Sequence, residues 1–273
     1  MGKRQKPRPH GSILAVGGGE EKFDRPEILE RFVAEAGGAE AKIAILPTAS
    51  AIPDERATFY ERVFRQIGAG EAFPLPIASL DDASAPANLE AIDRATGVFM
   101  TGGDQSRLVA ALAGSPALDA IREHLKGGGA LAGTSAGASA FSATMIVGGE
   151  TGLHLRRDAV DLAPGLGVIT RLIIDQHFSQ RKRLGRLLTA VALEPGKLGV
   201  GIDEDTAIVY YGSGEIEVIG SGQVFVLDGS RATAHGLSET DPTGRFSLSG
   251  AILHVLTAGD RFDVEGRKPL QAN

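Results

Sequence analysis

Cysteine is absent from the 273-residue chain, which excludes disulfides, thiolate metal sites and a cysteine nucleophile. Long apolar runs are missing as well. No stretch approaches the roughly 20 residues that a membrane-spanning helix needs. The basic opening MGKRQKPRPHG is followed only by the short SILAV, so neither a signal peptide nor a membrane partner is expected. No internal repeat and no low-complexity linker interrupts the chain. The formal net charge of -6 argues against nucleic acid as a partner. Gly17 to Gly19 do not complete G-x-G-x-x-G, and acids follow where phosphate would sit, so no nucleotide cofactor is expected. These exclusions leave a cytoplasmic globular protein.

What is present is an alternation of short apolar runs and amphipathic stretches over the first two-thirds. SILAVGG, KIAILPTAS, AFPLPI, GVFMTGGD and ALAGTS read as strands, the last of them buried. PEILERFVAEAG, ATFYERVFRQIGA, QSRLVAALAG, PALDAIREHLKGGG and AGASAFSA read as helices. The pattern predicts an α/β fold: a mostly parallel, doubly wound sheet with flanking helices. Ligands then sit at the carboxyl ends of the strands. From about Lys197 alternating residues and Gly-rich turns predict antiparallel strands added to one sheet edge. Residues 1–11 are expected to be a basic disordered tail, and residues 12–273 a single domain.

Gly133-Thr134-Ser135-Ala136-Gly137 fits G-x-S-x-G at the expected strand-to-helix junction. A nucleophile on so sharp a turn needs small neighbours, although a helix cap between packing glycines would explain the same residues. A serine nucleophile needs a base. Of six histidines, His10 falls in the tail, His124 is expected solvated on a helix, His235 lies in a polar loop and His254 on a strand. His154 follows the serine in a loop. His177 lies just past the buried run Leu172 to Ile174, at the sheet edge where Ser135 emerges, and is the favoured base. For the acid that orients it, Asp203, Glu204, Asp205 and, in a separate loop, Glu150 stay open. The order Ser, His, acid departs from that of the α/β-hydrolases.

An oxyanion hole needs converging amides; Ala136, after the serine, and Gly102 or Gly103, after the fourth strand, can supply them. Ser179 can cap a helix with the apolar face Leu184, Leu187, Leu188 and Val191. Its first turns carry Arg181, Lys182, Arg183 and Arg186. Cations there oppose the helix dipole at about 0.3–1 kcal/mol each, which suggests a bound anion. Arg183 and Arg186 share a face and could grip a carboxylate, while Asp175 could hold a cation.

With GTSAGAS, TGGDQ, DQHFSQRKRLGRLL and GIDEDTA in place, the chain resembles the cyanophycinases, members of the serine peptidase family that also contains the aspartyl dipeptidase peptidase E. The resemblance runs from about Ser12 to Asp263. It implies a fold similar to class I glutamine amidotransferases (flavodoxin-like), with serine in place of their cysteine, and a homodimer. It assigns nucleophile, base and acid to Ser135, His177 and Glu204, and the oxyanion amides to Gly103 and Ala136. Substrate binding falls to Gln105, Asp175, Gln176, Arg181, Arg183 and Arg186. The implied substrate is cyanophycin, a poly-aspartate with arginine on each β-carboxyl, cut to β-Asp-Arg through an acyl-enzyme without metal or cofactor. A dipeptidase acting on aspartyl peptides and a silent polymer-binding homologue are the alternatives.

Overall fold

A computed structural model describes residues 11–271; the expected basic tail lies, but for Gly11, outside the described residues. In chain order the elements are β1 (Ser12–Val16), α1 (Glu27–Glu35), β2 (Lys42–Leu46), α2 (Pro53–Ile67), β3 (Glu71–Pro74), α3 (Pro86–Arg94), β4 (Gly97–Met100), α4 (Gln105–Leu112), α5 (Pro116–Lys126), β5 (Ala130–Thr134) and α6 (Ala136–Ala140). There follow β6 (Thr144–Gly149), β7 (Val160–Pro164), β8 (Leu172–Gln176), α7 (Leu184–Leu193), β9 (Leu198–Ile202), β10 (Thr206–Tyr211), β11 (Glu215–Gly220) and β12 (Val224–Asp228). The chain closes with β13 (Thr233–His235), β14 (Ser247–Ser249), β15 (Ile252–Leu256), β16 (Arg261–Asp263) and β17 (Lys268–Leu270).

The expected α/β architecture is present. A nine-stranded sheet runs β17-β16-β11-β10-β1-β5-β4-β2-β3. Its β1, β5, β4, β2 and β3 are parallel, and β10, β11, β16 and β17 extend the β1 side antiparallel. Alternate residues of β1 serve its two faces, as strand geometry requires. Leu14 and Val16 join α1 and α2 around Phe32, Tyr60, Phe64 and Phe99, whose ring centroids lie 4.6 to 6.0 Å apart. Ile13 and Ala15 join α4, α5 and a second sheet on the other face.

That second sheet corrects the expectation of one sheet with extra strands at a single edge. It has four strands, β15-β12-β9-β8, with β8 and β9 parallel. So the C-terminal strands divide among three sheets, β13 and β14 pairing by themselves, and His177 follows a strand that does not share a sheet with the one before Ser135. The four-stranded sheet buries Ile174, Val200, Ile202 and Val226 against the larger one. Its other face buries Ile173 and Leu227 under Leu187 and Val191 of α7.

Local boundaries shift for recognisable reasons. Helix α2 starts four residues ahead of the expected segment because Pro53, with φ pre-set for a helix, takes its first turn. Helix α3 and the β6–β7 hairpin were not expected; α3 buries only Asn88 and Ile92, too little apolar periodicity to read. Helix α7 begins at Leu184 with Arg183 preceding it and no side-chain cap. Ser179 is therefore not its cap. His124 is half-buried rather than solvated, with Nε2 3.3 Å from the Ala130 carbonyl, and burial lowers its pKa. His235 lies on β13 rather than in a loop.

Candidate active site

Strand β5 delivers Ser135 at its carboxyl end with φ 53° and ψ -110°, a combination that costs a non-glycine residue of order 1–3 kcal/mol. The surroundings enforce it. The Ser135 amide donates to the Val16 carbonyl at 2.9 Å, and α6 starts at the next residue. A Cβ on Gly137 would stand 2.5 Å from the Met100 carbonyl oxygen, so helix and strand can meet this closely only through glycine. Ser135 Oγ thereby reaches 2.9 Å from His177 Nε2.

His177 arrives from the other sheet. It follows β8 directly, with φ 49°, and its amide donates to the Gly17 carbonyl at 2.8 Å. His177 Nδ1 lies 2.6 Å from Glu204 Oε1, so that nitrogen carries the proton and Nε2 is free to accept one. Burial is the main influence on the imidazole and lowers its pKa from 6.5. The Glu204 hydrogen bond opposes that shift, and the Arg181 charge adds to it.

The three consecutive acids divide their work. Asp203 accepts the amides of Ser179 at 2.9 Å and Gln223 at 3.3 Å, holding the turn after His177. Glu204 faces the imidazole. Asp205 accepts the Glu21 amide at 2.9 Å, while its own amide donates to the Gly18 carbonyl. Glu150 pairs with Arg156 at 2.5 Å and stands apart from His177.

Two backbone amides were expected to receive the oxyanion, those of Ala136 and Gly103. Ala136 is the first residue of α6, where an N–H has no intrahelical acceptor. Gly103 follows β4, and its amide makes no hydrogen bond among the described residues. Neighbouring Gly102 lies against the serine, a Cβ there standing 3.3 Å from that of Ser135. Gln176 accepts a long 3.4 Å hydrogen bond from Ser135 Oγ, and Gln105 Nε2 donates to the Ile146 carbonyl at 2.8 Å. Arg181 is exposed.

The remaining three expected substrate contacts are engaged with one another. Asp175 is fully buried. Arg186 grips it with two parallel hydrogen bonds, Nε to Oδ2 at 2.7 Å and Nη2 to Oδ1. Arg183 Nη1 adds a contact at 3.3 Å and donates to the Gln176 carbonyl at 2.5 Å. Burial pushes the Arg183 guanidinium down to about 10, with the charges of Arg186 and Arg181 opposing Asp175. The arginine pair does grip a carboxylate, but one supplied by β8, and Asp175 is closed to an outside guanidinium.

The glycine triplet is the feature that sequence reasoning missed. A Cβ on Gly18 would lie 2.4 Å from His177 Cε1, and one on Gly19 3.2 Å from Glu204 Oε2. With φ of 93°, Gly18 is the only residue type that fits beneath the imidazole without strain. The readable signal was three glycines at the carboxyl end of a central strand, where sites of this architecture form. Next to them Glu20 is buried, accepting the hydroxyls of Tyr60 and Thr134 at 2.6 Å each. Among the described residues no group of three or more His, Asp or Glu is placed to hold a metal ion.

Comparison with known proteins supplies the family. A cyanophycinase of Geminocystis herdmanii is 41% identical over 263 residues, covering 95% of this chain and 96% of its own. One of Trichormus variabilis is 39% identical over 262 residues, covering 96% of this chain and 88% of the relative. The crystal structure of a peptidase from an acI-B1 actinobacterium superposes with a TM-score of 0.68 at 26% identity, covering 93% of this chain and 97% of that one. The model of peptidase family S51 matches residues 13–218, a span that holds the serine, the imidazole and the carboxylate described above. The chain belongs to peptidase family S51.

Proposed function

We propose that this peptidase hydrolyses cyanophycin from the chain end to β-Asp-Arg dipeptides through an acyl-enzyme on Ser135. The observation that carries the reading is the hydrogen-bonded series Ser135 Oγ, His177 Nε2, His177 Nδ1, Glu204 Oε1. Ser135 Oγ attacks the backbone carbonyl while its proton passes to His177 Nε2. Glu204 stabilises the imidazolium that forms, and the Ala136 and Gly103 amides receive the developing oxyanion. The carbon–nitrogen bond then breaks as His177 returns the proton to the leaving amine. Water repeats the sequence to free the acid product. Gln105, Gln176 and Arg181 are the substrate contacts in this reading; Arg183, Arg186 and Asp175 position Gln176 and His177 from below. The substrate is supported by relatives at 39–41% identity that are cyanophycinases.

Purified protein is expected to clear a suspension of insoluble cyanophycin and to release β-Asp-Arg, read by mass spectrometry. Release from α-aspartyl dipeptides with none from the polymer would overturn the substrate.

The pH dependence follows from the imidazole. Only neutral His177 accepts the proton, and its pKa is lowered from 6.5. Activity therefore rises with pH through a midpoint below 6.5 and is level at neutrality. Arg181→Gln removes a charge that lowers this pKa, so its midpoint moves up. A kcat/KM profile still rising above pH 7 in the wild type would contradict the assignment.

A further inference from the structure

A cavity of about 370 Å³ opens on Ser135, with Gly19, Lys22, Arg56, Tyr60 and Gly102 in its wall. That is room for one ligand group of amino-acid size. Its charges do not cancel. The buried Glu20 carboxylate is held by two hydroxyls and by Lys22 Nζ at 3.4 Å, and the same Nζ donates to the Glu20 carbonyl at 2.5 Å. Lys22 and Glu20 thus neutralise each other. Arg56 is different: its guanidinium makes no ion pair and no hydrogen bond among the described residues. It packs over the Phe59 ring, 5.9 Å from the centroid, and its charge acts on the Tyr60 hydroxyl. One uncompensated cation, braced by an aromatic ring, faces a cavity that contains the nucleophile. Arg183 and Arg186 offer no equivalent, because both are occupied by Asp175.

A planar guanidinium with free donors in such a wall recognises a carboxylate, by charge-assisted and often bidentate hydrogen bonds. On cyanophycin the choice is narrow, and the identification rests on the function proposed above. Within the polymer the α-carboxyl of each aspartate is spent in the backbone and the β-carboxyl in the amide to arginine. Apart from the single α-carboxylate at the polymer's carboxyl end, the carboxylate that flanks every scissile bond is that of the arginyl group itself. We infer that Arg56 is a specificity residue that binds the arginyl α-carboxylate of a β-Asp-Arg unit flanking the scissile bond.

The test uses the full chain, cyanophycin, and a synthetic β-Asp-Arg oligomer whose arginyl carboxylates are carboxamides. Arg56→Gln is expected to raise KM for the unmodified oligomer by about 10- to 100-fold, the range of one charge-assisted contact, with kcat within about threefold. Arg56→Lys recovers part of the loss. The carboxamide oligomer should weaken the wild type by a similar factor and leave Arg56→Gln almost unaffected. An equal loss in both proteins, or an unchanged KM in Arg56→Gln, overturns the inference. Arg56 is half-exposed on α2, and an unchanged melting temperature shows that the variant is folded. A wild type without activity on either polymer or oligomer refutes the functional reading instead.

Discussion

Ser135→Ala is expected to fold normally and to lose peptide hydrolysis by about 10⁴- to 10⁶-fold, the scale on which triad nucleophiles act. The variant keeps the backbone problem while discarding the chemistry. Alanine at φ 53° is as strained as serine, and only the Oγ that meets His177 is lost. Ser135→Gly separates the two contributions. Glycine adopts this conformation freely, so that protein should be equally inactive yet more stable than the wild type by about 1 kcal/mol. Product release and thermal unfolding of the two variants check this. Residual activity above about a hundredth of wild type in Ser135→Ala would remove the serine from the reaction. A Ser135→Gly protein no more stable than the wild type would remove the strain argument.

The largest effect on stability is expected at Asp175. Its carboxylate is buried and receives three hydrogen bonds from Arg183 and Arg186. Asp175→Ala leaves two cations facing each other without their shared anion, which costs about 3–5 kcal/mol. Total stabilities of domains are of order 5–15 kcal/mol, so the loss is a large share of what holds the chain together. Urea unfolding measures it. The triple variant Asp175→Leu, Arg183→Met, Arg186→Met removes all the charges at once and should recover most of the loss. It should not recover full activity, because Arg183 also fixes the Gln176 carbonyl one residue before His177. If Asp175→Ala unfolds within 1 kcal/mol of wild type, the triad is not a structural support.

How much of this could be read from the residues depends on how local each feature is. Ser135 was legible because strand, turn and helix start are consecutive there, and the turn's demands are met by its immediate neighbours. His177 was legible as the end of a buried run. The sheet to which that run belongs was not, since LIIDQ is buried along its whole length and has no alternating face to give it away. Among Asp203, Glu204 and Asp205 only the three-dimensional turn decides which side chain faces the imidazole. Arg183 and Arg186 showed their shared face at once, yet their partner turned out to be internal, because burial at eight and eleven residues' remove leaves no trace in spacing. Gly18 was read only against a nucleotide-binding pattern. Its actual task, to make room for a ring from another sheet, is a contact between residues 159 positions apart.

The proposed nucleophile and its base follow strands of different sheets, and this gives the site a mechanical character. Ser135 is carried by the nine-stranded layer, His177 by the four-stranded one and Glu204 by the turn that joins them, and the 2.9 Å contact between Ser135 and His177 exists only while the layers keep their alignment. The short backbone bridges at Gly17 and Gly18 act as rivets across that seam. A slip of one ångström between layers would leave every strand and helix intact and still disarm the serine. Under the proposed mechanism reactivity therefore belongs to the seam, and the core packing between the sheets becomes part of the catalytic apparatus.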